Sequence, residues 1–206
     1  MARQFMSVYA IECDKLSGKL LLCSDGARLI RLEFMDSREM RDLGIDSSAD
    51  SRESKLDSRV ILGESKLDSS IDSSDLPIFT QTKKWLDLYF GGEIPRFAPQ
   101  IAFPSNASVF ALRVWEILRT IPHGKTTTYG AIAKQIAREF GIAKMSAQAV
   151  GGAVGRNPIS IIIPCHRVVG TNGNLTGYAG GLENKITLLK IEGIATNRLK
   201  MPKIIK

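Results

Sequence analysis

The chain has 206 residues, of which 44% are hydrophobic and 24% are charged, and its formal net charge is +7. This balance is typical of a soluble globular protein that forms one large or two small domains. No apolar run reaches the length that crosses a membrane, and the N-terminal residues lack the pattern of a secretory signal. We therefore expect no membrane association and a cytoplasmic location.

The cysteine and histidine content narrows the chemistry. Three cysteines, Cys13, Cys23 and Cys165, are too few for a disulfide framework and favour free thiols in a reducing compartment. The two histidines are His123 and His166, and there is no CxxC pair, so a zinc site would be hard to assemble. We predict no metal and no cofactor.

The charge is unevenly distributed along the chain. Residues 76–206 contain 17 Lys or Arg and 6 Asp or Glu, a net charge of +11, whereas residues 36–75 have a net charge of −5. A basic C-terminal half indicates a polyanionic partner, although a merely basic surface explains the charge equally well. Charge alone does not distinguish DNA, RNA and phospholipid.

Three short strands are predicted near the N-terminus, over 7–13, 19–23 and 28–34. Turn-prone residues separate them, so the pattern predicts an antiparallel meander. Residues 36–75 are rich in Ser and Asp and contain the sequence ESKLDS twice. Such a segment cannot bury enough apolar surface to order itself, and we expect a surface insertion that is mobile or loosely helical.

Helical patterns follow the insertion. Apolar spacing predicts a helix over 79–90, and the segment 95–104 has the composition of a linker between domains. A second helix is predicted from Ser105 or Asn106 to about Thr120.

A third helix over 129–140, with Thr128 as its cap, is followed by a fourth from Ser146 to Gly155. This pair is typical of a helix-turn-helix, and the Gly-rich fourth helix suits close approach to a sugar-phosphate backbone. Tight packing against another helix would explain the glycines about as well.

The segment Pro164-Cys165-His166-Arg167 carries the strongest chemical signal. It follows an apolar run, 159–163, which we predict to be a buried strand that Pro164 ends. A thiol becomes a nucleophile when a neighbour lowers its pKa and takes its proton. On the Cys-His pair alone, a buried structural cysteine would be the simpler interpretation.

Four stretches in order overturn that simpler interpretation: QAVGGA at 148–153, RNP at 156–158, IIIPCHRVVG at 161–170 and GYAGGL at 177–182. Together they resemble the O6-alkylguanine-DNA alkyltransferases, also called methylated-DNA–protein-cysteine methyltransferases. The resemblance covers residues 101–206 almost without a break. It is looser over 1–35 and 76–100 and absent over the insertion.

The resemblance implies an α+β fold in two domains. Residues 1–100 would form a ribonuclease H-like domain with a small antiparallel sheet and the insertion at about 36–75. Residues 101–206 would form a mainly helical winged-helix or helix-turn-helix domain that binds DNA and carries the alkyl acceptor.

The implied function is DNA repair by a monomer. The protein would bind double-stranded DNA and flip O6-alkylguanine, with O4-alkylthymine as a further candidate, out of the stack. The alkyl group would then move irreversibly to Cys165. Each molecule would act once, because a thioether is not hydrolysed in water.

The resemblance also implies four catalytic roles. Cys165 would accept the alkyl group, and His166 would draw off its proton through a water. Glu192 would orient the imidazole, as in a triad, and Asn157 would hydrogen-bond the turn that carries Cys165. Without the resemblance, Glu192 would be taken for a solvated helix residue and Asn157 for a helix-terminating turn residue.

Four further positions would contact the flipped base. Tyr129 would help rotate the nucleotide, and Tyr178 would form a wall of the pocket. The backbone carbonyls of Cys165 and Val168 would accept the amino group of the base, while the N–H of Ala179 would face O6.

The DNA itself would be contacted by the fourth helix, and the expected residues there are Gln148, Ala149, Gly152 and Arg156. Many relatives have arginine where this chain has Gln148. Glutamine is long enough to fill the gap left by the base, so we expect weaker flipping rather than loss of function. Arg156 and Lys144 would supply phosphate contacts.

Two other functions remain open on the residues. One is a lesion-recognition module without repair activity, but such relatives lack the acceptor cysteine that this chain has. The other is a Cys-His hydrolase, which would explain the Cys-His pair but neither the helix-turn-helix nor the basic half.

Overall fold

The computed structural model describes residues 7–35, 53–54 and 76–201. The chain divides into two compact units, residues 1–103 and 104–206. Most of the expected insertion lies outside the described residues. The division into two folding domains with a boundary after residue 100 stays a prediction.

The first unit is built on an antiparallel sheet. Its strands are β1 (Ser7–Glu12), β2 (Lys19–Ser24), β3 (Leu29–Met35) and the two-residue β4 (Glu53–Ser54), in the order β3-β2-β1-β4. The predicted meander is therefore confirmed, and two residues of the expected insertion pair with β1. Strand β2 is central, and its residues from Leu20 to Ser24 are buried.

Helix α1 (Pro77–Phe90) covers the apolar side of this unit. Proline at the first helical position suits the helix start, because its missing N–H would have no helical partner there. Its buried residues follow the predicted spacing, and they are Ile78, Phe79, Thr82, Trp85, Leu86, Tyr89 and Phe90. The predicted helix over 79–90 is confirmed and begins two residues earlier.

The expected linker over 95–104 is partly a structural element of the first unit. The N–H of Leu29 donates to the carbonyl of Gln100 at 2.8 Å, and the N–H of Ala102 donates to the carbonyl of Leu29 at 2.9 Å. These bonds lay the segment beside β3 as a parallel bridge. Proline content indicated a linker, but the non-proline residues within it are free to pair.

Within its described residues, the second unit contains four α-helices: α2 (Val109–Thr120), α3 (Tyr129–Glu139), α4 (Ala147–Gly155) and α5 (Leu182–Ile191). Side-chain oxygens of Ser108, Thr128 and Ser146 accept backbone N–H groups at the starts of α2, α3 and α4. The cap of α3 is the one predicted, and α4 begins directly after Ser146, where the fourth helix was predicted to start. The predicted cap of α2 at Ser105 or Asn106 is wrong by two or three residues, because Ser108 makes the bond.

Helices α2 and α4 are tied by a buried hydrogen bond. The indole N–H of Trp115 donates to the carbonyl of Ala153 at 2.9 Å. Two short strands, β5 (Thr127–Thr128) and β6 (Val168–Val169), pair in parallel and join the start of α3 to the segment after Cys165. None of the described helices combines the length and apolarity needed to cross a bilayer.

The predicted strand over 159–163 is wrong. Ile159, Ile161 and Ile163 are buried, as expected, but the segment is a tight turn. The N–H of Ile163 donates back to the carbonyl of Ile159 at 3.0 Å, and Ile161 has a φ of 69°. A β-branched residue rarely adopts that left-handed conformation, so the surrounding packing must hold it.

Candidate active site around Cys165

Cys165 opens a single turn of 3₁₀-helix, Cys165–Arg167, directly after Pro164. The N–H of Cys165 donates to the carbonyl of Ile163 at 2.8 Å, so the preceding turn holds the backbone of Cys165 in place. The residue is 5% exposed. It borders a small cavity of about 40 Å³, whose lining residues are Tyr129, Gly151, Val154, Gly155, Asn157, Ser160, Cys165, Gly177, Tyr178 and Ala179.

Asn157 lies between the end of α4 and the turn that carries Cys165. Its side-chain amide donates to the carbonyl of Ile163 at 2.8 Å and approaches the Sγ of Cys165 at 3.1 Å. Its side-chain carbonyl accepts the N–H of Ile159 at 3.1 Å. One buried amide therefore joins both ends of the turn and contacts the thiol, which is the position expected for Asn157.

Glu192 ends α5 and is the centre of a buried charged cluster. The Nε2 atom of His166 lies 2.7 Å from its Oε1 atom, and both side chains are fully buried. The Nε atom of Arg167 donates to Oε2 at 2.8 Å, while the Nη2 atom donates to Oε1 at 2.9 Å. The backbone N–H of Gly124 adds a donor at 3.2 Å. The expected His166–Glu192 pair is thus brought together by the fold.

The pKa values in this cluster follow from burial and hydrogen bonding. Burial disfavours the charge on Glu192, but hydrogen bonds from His166 and Arg167 outweigh it and hold the pKa of this carboxyl well below its usual range. Burial lowers the pKa of His166, although Glu192 acts in the opposite direction. At neutral pH, Glu192 is a carboxylate and His166 is a neutral imidazole able to accept a proton.

The thiol of Cys165 is protonated in this resting structure. Burial raises its pKa, and hydrogen bonds from Asn157 and Tyr178, together with the charge of Lys185, oppose that rise. These three groups are the ones that would stabilise a thiolate once one forms. The chemistry therefore requires the proton to leave as the sulfur reacts.

Lys185 is a buried cation that sequence reasoning missed. It is 1% exposed, and its Nζ atom donates to the carbonyl of Val168 at 2.7 Å. Burial lowers its pKa to about 8. A sequence signal was present, because Lys185, Leu188 and Glu192 lie at helical spacing on the buried side of α5.

Arg167 was also missed, although it belongs to the motif that drew attention to Cys165. Besides its bonds to Glu192, its Nη1 atom donates to the carbonyl of Ile121. It thereby joins the active-site turn to the end of α2 and to the end of α5. The available signal was an arginine directly after the candidate catalytic pair, since arginine commonly forms paired hydrogen bonds with a carboxylate.

The residues expected to contact the base are distributed unevenly. Tyr129, Tyr178 and Ala179 line the cavity. Val168 is fully buried and does not line it, and its carbonyl already accepts a hydrogen bond from Lys185. A carbonyl has two lone pairs, so this bond leaves one position for a second donor.

The residues expected to contact DNA lie on one face of α4. Gln148, Ala149, Gly152 and Arg156 are exposed, whereas Val150, Ala153 and Val154 are buried. A Cβ atom added at Gly152 would lie 3.4 Å from a guanidinium nitrogen of Arg156, so Gly152 leaves room for that side chain. Helices α3 and α4 pack together, and the expected helix-turn-helix stays a prediction.

This arrangement is that of a helical unit with an enclosed cysteine. Residues 109–194 match the family model of the 6-O-methylguanine DNA methyltransferase, DNA binding domain. A methylated-DNA–protein-cysteine methyltransferase of Mycobacterium leprae is 48% identical over 114 residues, which are 55% of this chain and 65% of that protein. One of Methanosarcina acetivorans is 47% identical over 56% of this chain and 69% of that protein.

Solved structures agree with this assignment. The O6-methylguanine methyltransferase of Mycobacterium tuberculosis has a TM-score of 0.64 and 32% identity, over 91% of this chain and 93% of that one. The same organism's protein in complex with DNA has a TM-score of 0.62 over 92% of both chains. The chain belongs to the methylated-DNA–protein-cysteine methyltransferase family, and its α+β fold is the one that this family shares.

Proposed function

We propose that this protein flips O6-alkylguanine, and O4-alkylthymine as a second candidate, out of duplex DNA and transfers the alkyl group to its own Cys165. The observation that carries the proposal is the enclosed thiol of Cys165, which contacts Asn157 and lies beside the buried His166–Glu192 pair. A thiol in such surroundings can act as a nucleophile once its proton is removed.

Binding to duplex DNA is supported by the basic C-terminal half and by the exposed face of α4. Arg156 would contact phosphate, and Gln148 would fill the space that the flipped base vacates. Ala149 and Gly152 are small enough to let the helix approach the backbone closely. Flipping is required because O6 of a paired guanine is inaccessible to a protein thiol.

The transfer itself balances without a cofactor. The sulfur of Cys165 attacks the alkyl carbon, the S–C bond forms and the C–O6 bond breaks, and the bonding pair stays on the base. The thiol proton passes toward His166, and a proton taken up by the base restores neutral guanine. The N–H of Ala179 would stabilise the charge that develops on O6.

Each residue around Cys165 has a separate role in the alkyl transfer. Glu192 keeps its negative charge and favours the protonated imidazole as it forms. Asn157 and Lys185 stabilise the developing thiolate, while Tyr129 and Tyr178 would hold the base. The product is a thioether, which water does not hydrolyse, so each molecule acts once.

We also propose the finer architecture that the resemblance implies. The first unit would be ribonuclease H-like and the second a winged-helix or helix-turn-helix domain. The protein would act as a monomer in the cytoplasm.

The test is intact-protein mass spectrometry after mixing with a duplex that carries one O6-methylguanine. The wild type should gain about 14 Da on Cys165, whereas Cys165→Ser should gain nothing. Cys23→Ala is the matched control, because it removes a different buried thiol and should still be methylated.

Two results would contradict the proposal. Tight binding to the lesion without a gain in mass would leave a lesion-recognition module in its place. Repeated hydrolysis of an ester or peptide that requires Cys165 would indicate a Cys-His hydrolase.

A further inference from the structure

The cavity beside Cys165 is too small for the base that it is proposed to receive. Its volume is about 40 Å³. A single water occupies roughly 30 Å³ in the liquid, and pockets for drug-sized ligands measure about 300–1,000 Å³. A purine with its two fused rings therefore enters only after part of the lining has moved.

A side-chain hydrogen bond links two segments that line this cavity. The hydroxyl groups of Tyr129 and Thr176 lie 2.9 Å apart. Tyr129 is the first residue of α3, whereas Thr176 directly precedes Gly177, Tyr178 and Ala179, which also line the cavity. The two residues are 47 positions apart in the chain, so only the tertiary fold brings them together.

The hydroxyl of Thr176 is held toward Tyr129 by packing at its methyl group. A Cβ atom added at Gly170 would lie 3.1 Å from the Cγ2 atom of Thr176, so this methyl lies directly against Gly170. The N–H of Gly170 donates to the carbonyl of Asn174 at 2.7 Å and closes the base of the loop. A β-branched side chain has few χ1 choices, and fixing the methyl also fixes the hydroxyl.

The ring of Tyr129 lies near α4. A Cβ atom added at Gly151 of α4 would lie 3.7–3.8 Å from two ring carbons of Tyr129, an ordinary packing distance. The phenol thus lies next to the helix proposed to bind DNA, lines the cavity and is hydrogen-bonded to the loop that contains Thr176. A shift of α4 on binding DNA would therefore change the surroundings of the Tyr129–Thr176 bond.

We propose that Thr176 is a positioning residue that closes the Cys165 cavity. Its bond to Tyr129 holds loop residues 176–179 in place while no DNA is bound, and a base enters when this bond opens. This inference rests on the proposed function and adds that the bond limits which bases gain entry. A free base must enter without any DNA contact that helps to open the Tyr129–Thr176 bond. A base in DNA enters while DNA contacts on α4 assist this opening.

The first test measures the rate at which free O6-benzylguanine alkylates Cys165. Thr176→Val keeps the shape and the methyl packing but removes the hydroxyl, so it should react roughly two- to tenfold faster than the wild type, as the loss of one hydrogen bond allows. Thr176→Ser keeps a hydroxyl and should stay closer to the wild-type rate.

A double-mutant cycle separates this bond from general loosening. Tyr129→Phe removes the same bond from the other side, so combining it with Thr176→Val should add no further acceleration on the free base. Equal rates for the wild type and Thr176→Val, or fully additive effects, would overturn the proposal.

A second readout does not depend on alkyl transfer from DNA. Labelling of Cys165 by iodoacetamide and by a bulkier maleimide should be faster in Thr176→Val, and the gain should be larger for the bulkier reagent. Cys13, in the other unit, is the internal reference in the same digest. Failure of methylation with this labelling pattern intact would reject the proposed function alone, whereas unchanged labelling would reject the role of Thr176.

Discussion

Two buried cysteines, Cys23 in the first unit and Cys165 in the second, show what separates a structural thiol from a reactive one. Cys23 lies on β2 within a run of buried leucines, and burial raises its pKa to about 12. Cys165 is almost as buried, yet Asn157, Tyr178 and Lys185 all act to lower its pKa. Burial alone makes a thiol inert. A thiol that is buried among groups that stabilise its anion can still form a thiolate and react.

The surroundings of the two thiols differ in how they open. Cys23 pairs with residues on both neighbouring strands, so exposing it requires the sheet to come apart. Cys165 borders a cavity that is lined in part by a loop, Gly177–Ala179. Local opening of a loop costs less free energy than global unfolding.

The largest expected effect is a difference in labelling between these thiols. In the native protein without DNA, iodoacetamide should label Cys165 roughly a hundredfold or more faster than Cys23, because only Cys165 becomes accessible by local opening. Peptide mass spectrometry over a time course gives both rates. In concentrated urea the difference between the two rates should vanish. Comparable rates in the native state would contradict the conclusion that only Cys165 becomes accessible by local opening.

The second expected effect concerns the buried charges near Cys165. Glu192→Ala leaves His166 and Arg167 without their partner, so the free energy of unfolding should fall by about 3–5 kcal/mol. Urea denaturation measures this change. Glu139→Ala is the matched control, because it removes a carboxylate paired with Arg113 on the surface and should change stability much less. Equal effects of the two substitutions would show that burial of the Glu192 cluster is unimportant.

The third expected effect is a pH dependence that Lys185 contributes. Its pKa is about 8 in the folded protein and about 10.4 in an unfolded chain, so the unfolded state binds more protons between these values. The contribution of Lys185 to stability therefore rises as the pH increases from about 8 to 10. The buried thiols act in the opposite direction, since unfolding lowers their raised pKa values.

Lys185 and the Cys165 thiol influence each other's pKa, so Lys185→Met is compared with the protein that keeps the wild-type Lys185, both in a Cys165→Ser background, where the contribution of Cys23 cancels. The free-energy difference between them should change by about 2–3 kcal/mol in favour of the protein that keeps Lys185 over this pH range. Urea denaturation at several pH values measures it. A difference that does not vary with pH would mean that Lys185 keeps an ordinary pKa.

The smallest expected effect concerns the contact between Asn157 and the thiol. Asn157→Ala removes a hydrogen bond that lowers the pKa of Cys165, so the pH profile of iodoacetamide labelling should move to higher pH. The rate of methyl transfer from DNA should fall about tenfold, which corresponds to one hydrogen bond to a charged group. An unchanged pH profile with a slower transfer would assign Asn157 to shaping the turn only.

Local patterns predicted the regular elements well, because helix caps and apolar spacing act within a few residues. Thr128 caps α3 as expected, α4 begins directly after Ser146, and the three N-terminal strands lie where alternation placed them. The apolar run over 159–163 misled, since such a run is equally compatible with a strand and with a buried turn. Its left-handed residue, Ile161, has no signature in the sequence.

The sequence by itself determined that Cys165 and His166 are adjacent, that two short helices precede them and that the C-terminal half is basic. Only the tertiary structure decided which groups surround the thiol. Lys185 reaches Val168, and Thr176 reaches Tyr129, across 17 and 47 positions of the chain. Such contacts depend on how α5 and the loop before it pack against α3 and the Cys165 turn. Packing on that scale is set by all the residues of the core together and not by any local motif.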